Sequence, residues 1–300
     1  MRQEFSEANR DLLININGEL IHRDLAGVSP FDSLVQGGDG VWEGLRLYDG
    51  RIFKLDAHLK RLHGSAKALS FNEIPSIVTL KEEIKKTLLA NQMTDGAHIR
   101  LTLSRGLKIT SGMDPRLNQQ GCTLIVLAEH KPPVYDRSGL RLITSSIRRF
   151  PPDCLDPKIH SNNLIQSIMA KIEANVAGVD DALMLDTRGF VAETNATHLF
   201  LVQDEIIRTG RTVACPEGIT RDTILALCRE NRIPHEVEDI SLMEFYRADE
   251  VFCTGTMGEL VGVIEIDGRQ IGNGAVGPMT EQLSRYYKRL TENSGERILE

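Results

Sequence analysis

Lys131-Pro-Pro-Val-Tyr135 is the stretch that most constrains this chain, because it comes two residues after the apolar run Thr123-Leu-Ile-Val-Leu-Ala128 and ends the strand that run can make. Proline has no N–H to give a sheet ladder and biases its predecessor toward extended geometry, so two in succession predict a linker. The linker spans residues 131–137 and divides the 300 residues into a small N-terminal domain, 1–130, and a larger C-terminal domain, 138–300. Each is of ordinary size, about 100–200 residues. A hydrophobic content of 41% supplies both with a core and excludes disorder, collagen and a disulfide-stapled mini-protein.

The first domain reads as hairpins followed by amphipathic helices. Leu13–Ile16 and Glu19–His22 flank Asn17-Gly18, and Leu45–Tyr48 and Arg51–Phe53 flank Asp49-Gly50. Both dipeptides favour the positive φ angles of a two-residue turn, so an antiparallel sheet follows. Asp56 can cap a helix whose apolar positions are Leu59, Leu62, Ala66 and Leu69, and Thr79-x-x-Glu82 reads as a capping box for a second helix through Ile84, Leu88 and Leu89. Strands around His98–Ser104 and Cys122–Ala128 complete an α+β unit.

Beyond the linker, a strand near Leu140–Ser145 precedes a Pro-rich stretch and a helix over Asn163–Ala177. That helix carries Leu164, Ile168 and Ile172 on one face and ends at Gly178. A hairpin about Thr187-Arg-Gly189, a strand Leu199–Val202, a helix opened by Gly218-Ile-Thr, a strand Glu250–Cys253, a hairpin at Asp267-Gly268 and a helix near Pro278–Leu290 follow.

Charge and cysteines narrow the partners. Lys+Arg 35 against Asp+Glu 42 gives a net −7, which offers no basic field for a nucleic-acid backbone. No apolar run approaches the roughly 18 residues of a membrane helix, and the N-terminus lacks the apolar core of a signal peptide. The expected compartment is the cytoplasm, with no membrane partner. Five scattered cysteines without a Cys-x-x-Cys pair predict buried, reduced thiols, and the eight histidines show no metal-ligand spacing.

Gly272-Asn-Gly-Ala-Val-Gly277 is a literal dinucleotide fingerprint, but only 23 residues remain after it, too few for the helix, strand and acidic residue that mechanism needs. Gly218-Ile219-Thr220 at a helix start and Thr254-Gly-Thr256 at a strand end can each cradle an anion, and each can equally serve as a plain cap or turn. Lys158 reads as either a solvated lysine or a reactive amine, and Glu193 as either an exposed or a functional carboxylate.

Together these segments resemble the class IV, fold type IV pyridoxal-phosphate aminotransferases of the branched-chain group. The likeness is carried by Phe53–Lys67 around Arg61, Lys158–Asn163, Asp181–Phe200 around Glu193, Gly218–Asp222, Ala248–Thr256 and Gly277–Thr280, in the family's order. It implies a pyridoxal-phosphate enzyme in which Lys158 is the Schiff-base lysine and moves the substrate's proton, while Glu193 sits against the pyridine nitrogen. Arg61, Ile219, Thr220 and Thr256 would hold the phosphate, and Asn163 would meet the ring edge. Arg100, His98, Arg46, Gly37 and Met257 would face the substrate, with Arg105 a further candidate for its carboxylate. The implied activity is transfer of an amino group between an amino acid, branched-chain or otherwise aliphatic, and a 2-oxo acid such as 2-oxoglutarate. The implied assembly is a homodimer with its sites between the two domains.

Asn163 and Gly37 stand where the family places tyrosines, His98 replaces another in a Tyr-x-Arg pair, and His198 replaces a signature asparagine. The changes predict a roomier pocket. A register two residues nearer the helix would put His160 at the lysine's place. Other outcomes compatible with the resemblance are a lyase similar to aminodeoxychorismate lyase, a D-amino-acid or (R)-amine transaminase, and a non-catalytic pyridoxal-phosphate binder.

Overall fold

The computed structural model describes residues 4–299, which form two compact units. The first runs to Pro132 and takes in Ile159–Asn163 and the residues from Thr291 onward. The second comprises Pro133–Lys158 and Leu164–Leu290.

In the N-terminal unit, β1 (Leu13–Ile16) and β2 (Glu19–His22) turn at Asn17-Gly18. A short α1 (Ser33–Gly37) precedes the long β3 (Gly40–Tyr48), which turns at Asp49-Gly50 into β4 (Arg51–Ile52). Helices α2 (Leu55–Ala68) and α3 (Ile77–Ala90) follow, then β5 (Ala97–Ser104) and β6 (Thr123–His130). Strand β3 pairs with β5 over seven residues, and Trp42, Gly44 and Arg46 share one face while Val41, Glu43, Leu45 and Leu47 share the other. The second face packs on Leu55, Leu59 and Leu62 of α2 and Leu80, Ile84 and Leu88 of α3, all fully or almost fully buried.

Both helices begin differently from the expectation. Lys54, with a φ of 53°, is the N-cap of α2 in place of Asp56, and Ser76 accepts the Thr79 N–H to cap α3, so the Thr79 box is not the start. Ser76 wins because the helix must already be turning at Ile77 for that side chain to reach the core.

The C-terminal unit holds β7 (Leu140–Thr144), α4 (Ile165–Ala177), β8 (Asp181–Leu185), β9 (Val191–Thr194), β10 (His198–Gln203), β11 (Ile206–Gly210), α5 (Ile219–Glu230), β12 (His235–Glu238), α6 (Leu242–Tyr246), β13 (Glu250–Gly255), β14 (Glu259–Ile266), β15 (Arg269–Gln270) and most of α7 (Pro278–Asn293). Its sheet runs β12-β11-β10-β13-β14-β7-β8-β9, with β15 paired to β14. The last strand, β16 (Glu296–Arg297), pairs with β4 of the N-terminal unit's own sheet.

Helix α4 departs from the expected packing. It buries Ala170 and Ala174 against Ala182 and Met184, since small residues let its backbone lie close to β8; its large apolar residues point outward. The cysteines also differ from expectation: all five are free, but only Cys215, Cys228 and Cys253 are buried, while Cys154 is exposed. The glycines of 272–277 serve close packing, and a Cβ on Gly277 would lie 2.0 Å from Cδ of Glu250, whose carboxylate accepts the Met279 and Thr280 N–H groups at the head of α7. Among the described residues no helix is long and apolar enough to cross a membrane.

Leu59 is wholly buried at the centre of the first core. Leu59→Ala is expected to cost about 2–5 kcal/mol of unfolding free energy, read as a lowered denaturant midpoint with little change in slope.

Candidate active site

In the C-terminal unit the acidic residue comes from β9. Glu193 is 5% exposed, and Nη2 of Arg149 lies 2.9 Å from its Oε1. The same guanidinium donates to the Thr194 carbonyl at 2.9 Å and to Ser167 Oγ on α4 at 3.1 Å, so it is fixed on both sides. A carboxylate so deeply buried needs such a partner, because removing two charges from water is offset only by good geometry.

Lys158 leaves its side chain 47% exposed, with Nζ 3.7 Å from Oε1 of Glu217. Its own N–H is held by Oδ1 of Asp156. Burial pushes the Cys215 thiol up, as does the charge of Glu193, while the charges of Arg221, Arg149 and Lys158 pull it down.

Gly218 is the N-cap of α5, so no side chain covers the helix start. The first N–H groups of such a helix, those of Ile219 and Thr220 here, have no intrahelical acceptor and lie at the positive end of the dipole. Glycine is required at this cap: a Cβ on Gly218 would lie 2.2 Å from Cδ2 of His198. Thr256 and Met257 follow the end of β13, where the Met257 carbonyl accepts the Val134 N–H. Asn163 is exposed.

The N-terminal unit presents a second set. Arg61 on α2 is gripped by Glu43 of β3, Nε to Oε1 and Nη2 to Oε2, each at 2.7 Å. His58 donates its Nδ1–H to the same carboxylate at 2.7 Å, since an ionised carboxylate can only accept. Residues 159–163 lie along β3, with Trp42 N–H donating to the His160 carbonyl, Asn162 N–H to the Gly40 carbonyl, and the Trp42 indole to the Ser161 carbonyl. His160 is therefore a stacked, hydrogen-bonded neighbour of Trp42, 4.4 Å between ring centroids.

On the other face of the sheet, Arg46 stands opposite His98 in the ladder and Arg100 opposite Gly44. Arg46 is 5% and His98 8% exposed, yet Arg46 Nε and Nη1 and both His98 ring nitrogens have no hydrogen-bond partner among the described residues. The Arg100 guanidinium lies 4.0 Å over the Trp42 ring and lines a hollow of about 430 Å³ with Thr102, Ile125, Leu127 and Asn162. Gly37 ends α1, and a Cβ there would meet nothing within 4 Å. Arg105 is bound to Asp39 and to the Leu69 and Ser70 carbonyls, which removes it from the substrate candidates.

Sequence reasoning missed Arg149 and Glu43. The second had a signal: a single acidic residue inside Val41–Leu47, a strand otherwise apolar on that face.

The chain is a member of the class IV aminotransferase family, whose model matches residues 40–266. It is 55% identical over 288 residues to branched-chain-amino-acid aminotransferase-like protein 2 of Arabidopsis thaliana, covering 96% of this chain and 52% of that protein. The chain thus spans about half the length of that relative. It is 40% identical to a putative branched-chain-amino-acid aminotransferase of Methanocaldococcus jannaschii, covering 95% and 98%. The solved branched-chain amino acid aminotransferase of Escherichia coli superposes with a TM-score of 0.88 at 29% identity, covering 95% of this chain and 96% of that one, so the fold is the fold type IV architecture.

Acid sensitivity follows from the buried titratable groups. Burial alone would push the Glu43 carboxyl up, but the hydrogen bonds from Arg61 and His58 outweigh it and hold it at about 2, against an ordinary 4.5. Its contribution to stability is complete above pH 4.5 and is lost as pH falls toward 2, because the unfolded chain takes the proton first. Burial pushes His160 down to about 4 and His98 down to about 3 from 6.5. Unfolded histidines then bind protons that the folded ones refuse, so stability also falls from pH 6.5 downward. Urea midpoints measured across this range are expected to drop steadily below pH 6.5; a flat profile down to pH 4 would contradict it.

Proposed function

We propose that the chain is a pyridoxal-phosphate aminotransferase that moves an amino group between an amino acid, branched-chain or otherwise aliphatic, and a 2-oxo acid such as 2-oxoglutarate. One observation carries this reading: a half-exposed lysine amine, a buried Arg149-paired carboxylate and an uncapped helix start occur together in one unit. That donor set fits pyridoxal phosphate, which needs an amine for its aldehyde, an acid for its ring nitrogen and N–H groups for its phosphate.

When bound, the cofactor supplies an electron sink that makes the substrate's Cα–H acidic. Lys158 would hold the cofactor through Nζ, and the same amine would move the proton at the substrate's Cα. Glu193, held in place by Arg149, would keep a proton on the ring nitrogen. Arg61, the Ile219 and Thr220 N–H groups and Thr256 would hold the phosphate, and Asn163 would border the ring. The register that would place the amine at His160 has little support, since that side chain is stacked on Trp42 and its Nδ1 is engaged by the Trp42 carbonyl.

Substrate recognition falls to Arg100, with His98, Arg46, Gly37 and Met257 around it. Buried guanidinium nitrogens without partners among the described residues are costly, so Arg46, with Arg100 on the same sheet face, favours an anionic occupant, which suits a dicarboxylic oxo acid as acceptor. Five unpaired cysteines suit a reducing compartment such as the cytoplasm. The outward face of α4, with Ile165, Ile168, Met169, Ile172 and Val176 each 48–84% exposed, suits a homodimer contact.

The reading is tested by mixing the yellow protein with L-amino acids, D-amino acids and (R)-amines in turn and following loss of the aldehyde absorbance. Conversion with aliphatic L-amino acids and recovery with 2-oxoglutarate are expected, and Lys158→Ala should abolish both. No conversion by any donor would refute the transaminase. For the assembly, the double change Ile168→Glu and Ile172→Glu should halve the mass measured by sedimentation; a wild-type protein that already sediments as a monomer would refute the dimer.

A further inference from the structure

Glu43 is a fully buried carboxylate of the N-terminal sheet that the proposed reaction leaves without a task. Its side chain has no exposed surface, yet it sits on the core face of β3 between Val41 and Leu45. Stability alone does not account for it, since a buried ion pair is at best comparable to a well-packed apolar pair. What it does provide is orientation. Two parallel bonds of 2.7 Å fix the plane of the Arg61 guanidinium, and the His58 bond of 2.7 Å fixes the carboxylate in turn. The carboxylate's backbone is equally fixed, because β3 lies between β4 and β5 in the seven-stranded sheet.

The Arg61 side chain is 17% exposed, so it is anchored from the core side and still meets the surface. An arginine on a helix has several rotatable bonds, and clamping them in advance removes the entropy that a phosphate ligand would otherwise have to overcome. The same carboxylate lies 3.7 Å from Nδ1 of His160, in the short segment that begins directly after Lys158 and lies along β3. Glu43 therefore adjoins both the arginine and that segment.

We infer that Glu43 is a positioning residue for phosphate binding, which holds the Arg61 guanidinium in the orientation that receives the cofactor's phosphate. The inference rests on the reading of this chain as a pyridoxal-phosphate enzyme. It differs from a role in charge balance by the sign of its effect: a carboxylate that only neutralised Arg61 would weaken phosphate binding, and its loss would strengthen it.

The experiment compares dissociation constants of pyridoxal 5'-phosphate and of pyridoxal, which lacks the phosphate, on the cofactor-stripped full chain by absorbance titration. For Glu43→Gln we expect affinity for the phosphorylated form to fall by about 10- to 100-fold, by analogy with the loss of a group that orients a metal-holding side chain. Affinity for pyridoxal should stay within about twofold, a constancy that general loss of structure would not leave. In an Arg61→Ala background the same change should have no further effect on either ligand. Glu43→Asp, which keeps the charge and withdraws the carboxylate by one methylene, serves if the Gln variant does not fold, and should lose affinity for the phosphorylated form alone. Unchanged or tighter binding of pyridoxal 5'-phosphate, an equal loss for both ligands, or full additivity with Arg61→Ala would each overturn the inference. A wild-type chain that takes up no pyridoxal 5'-phosphate would instead defeat the reading on which it rests.

Discussion

Keeping a charge inside a protein is costly unless other charges or hydrogen bonds meet it, and a buried carboxylate in each half of this chain is met in that way. Glu43 in the first unit and Glu193 in the second are buried on strands, and each is met by an arginine from outside its own hairpin, Arg61 from α2 and Arg149 from the loop after β7. Because a carboxylate left alone there would be driven toward neutrality, the arginines fix the spacing of helix to sheet as firmly as the leucines do. The apolar layers set how close the elements come, and the ion pairs set their rotation and register.

The opposite situation holds on the far face of the N-terminal sheet, where buried nitrogens of Arg46 and His98 have no acceptor among the described residues. Such groups are tolerated where binding supplies what folding withheld, and natural sequences keep these violations at functional surfaces. The acidic net charge makes the contrast sharper. With more carboxylates than cations overall, attraction for a phosphate or carboxylate has to be local, created by a few arginines and by the bare start of α5.

Much of this was legible in the residues. The Asn17-Gly18 and Asp49-Gly50 turns marked their hairpins because few residues accept positive φ, and Gly178 marked the end of α4 for the same reason. Motif order singled out Lys158, Glu193 and Gly218, which fall in one unit. What was hidden depends on contacts distant in sequence. Arg149 reads as one of two arginines in a loop until Glu193, 44 positions on, is seen beside it. Helix α4 misled in the other direction: its isoleucines have the spacing of a core face, but packing favoured the alanines that let it approach β8. Periodicity finds an amphipathic face and does not say what will cover it. Strands β11 and β12 escaped because they are short, and the burial alternation of β11 falls on Ile207 and Thr209, which form no apolar repeat in the sequence.

The path of the chain also bears on how it is made. The N-terminal unit completes its sheet with β16, drawn from residues 296–297, and receives residues 159–163 along β3 from the middle of the sequence. During translation residues 1–130 emerge with the β4 edge open and the backbone of β3 at Gly40 and Trp42 unsatisfied. An unpaired edge of that kind invites association with other nascent chains, and closing it requires a loop of more than 200 residues, from Ile52 to Glu296. Of the two units, the one translated first is thus the last to be finished, so its final ordering waits until the ribosome has passed Arg297.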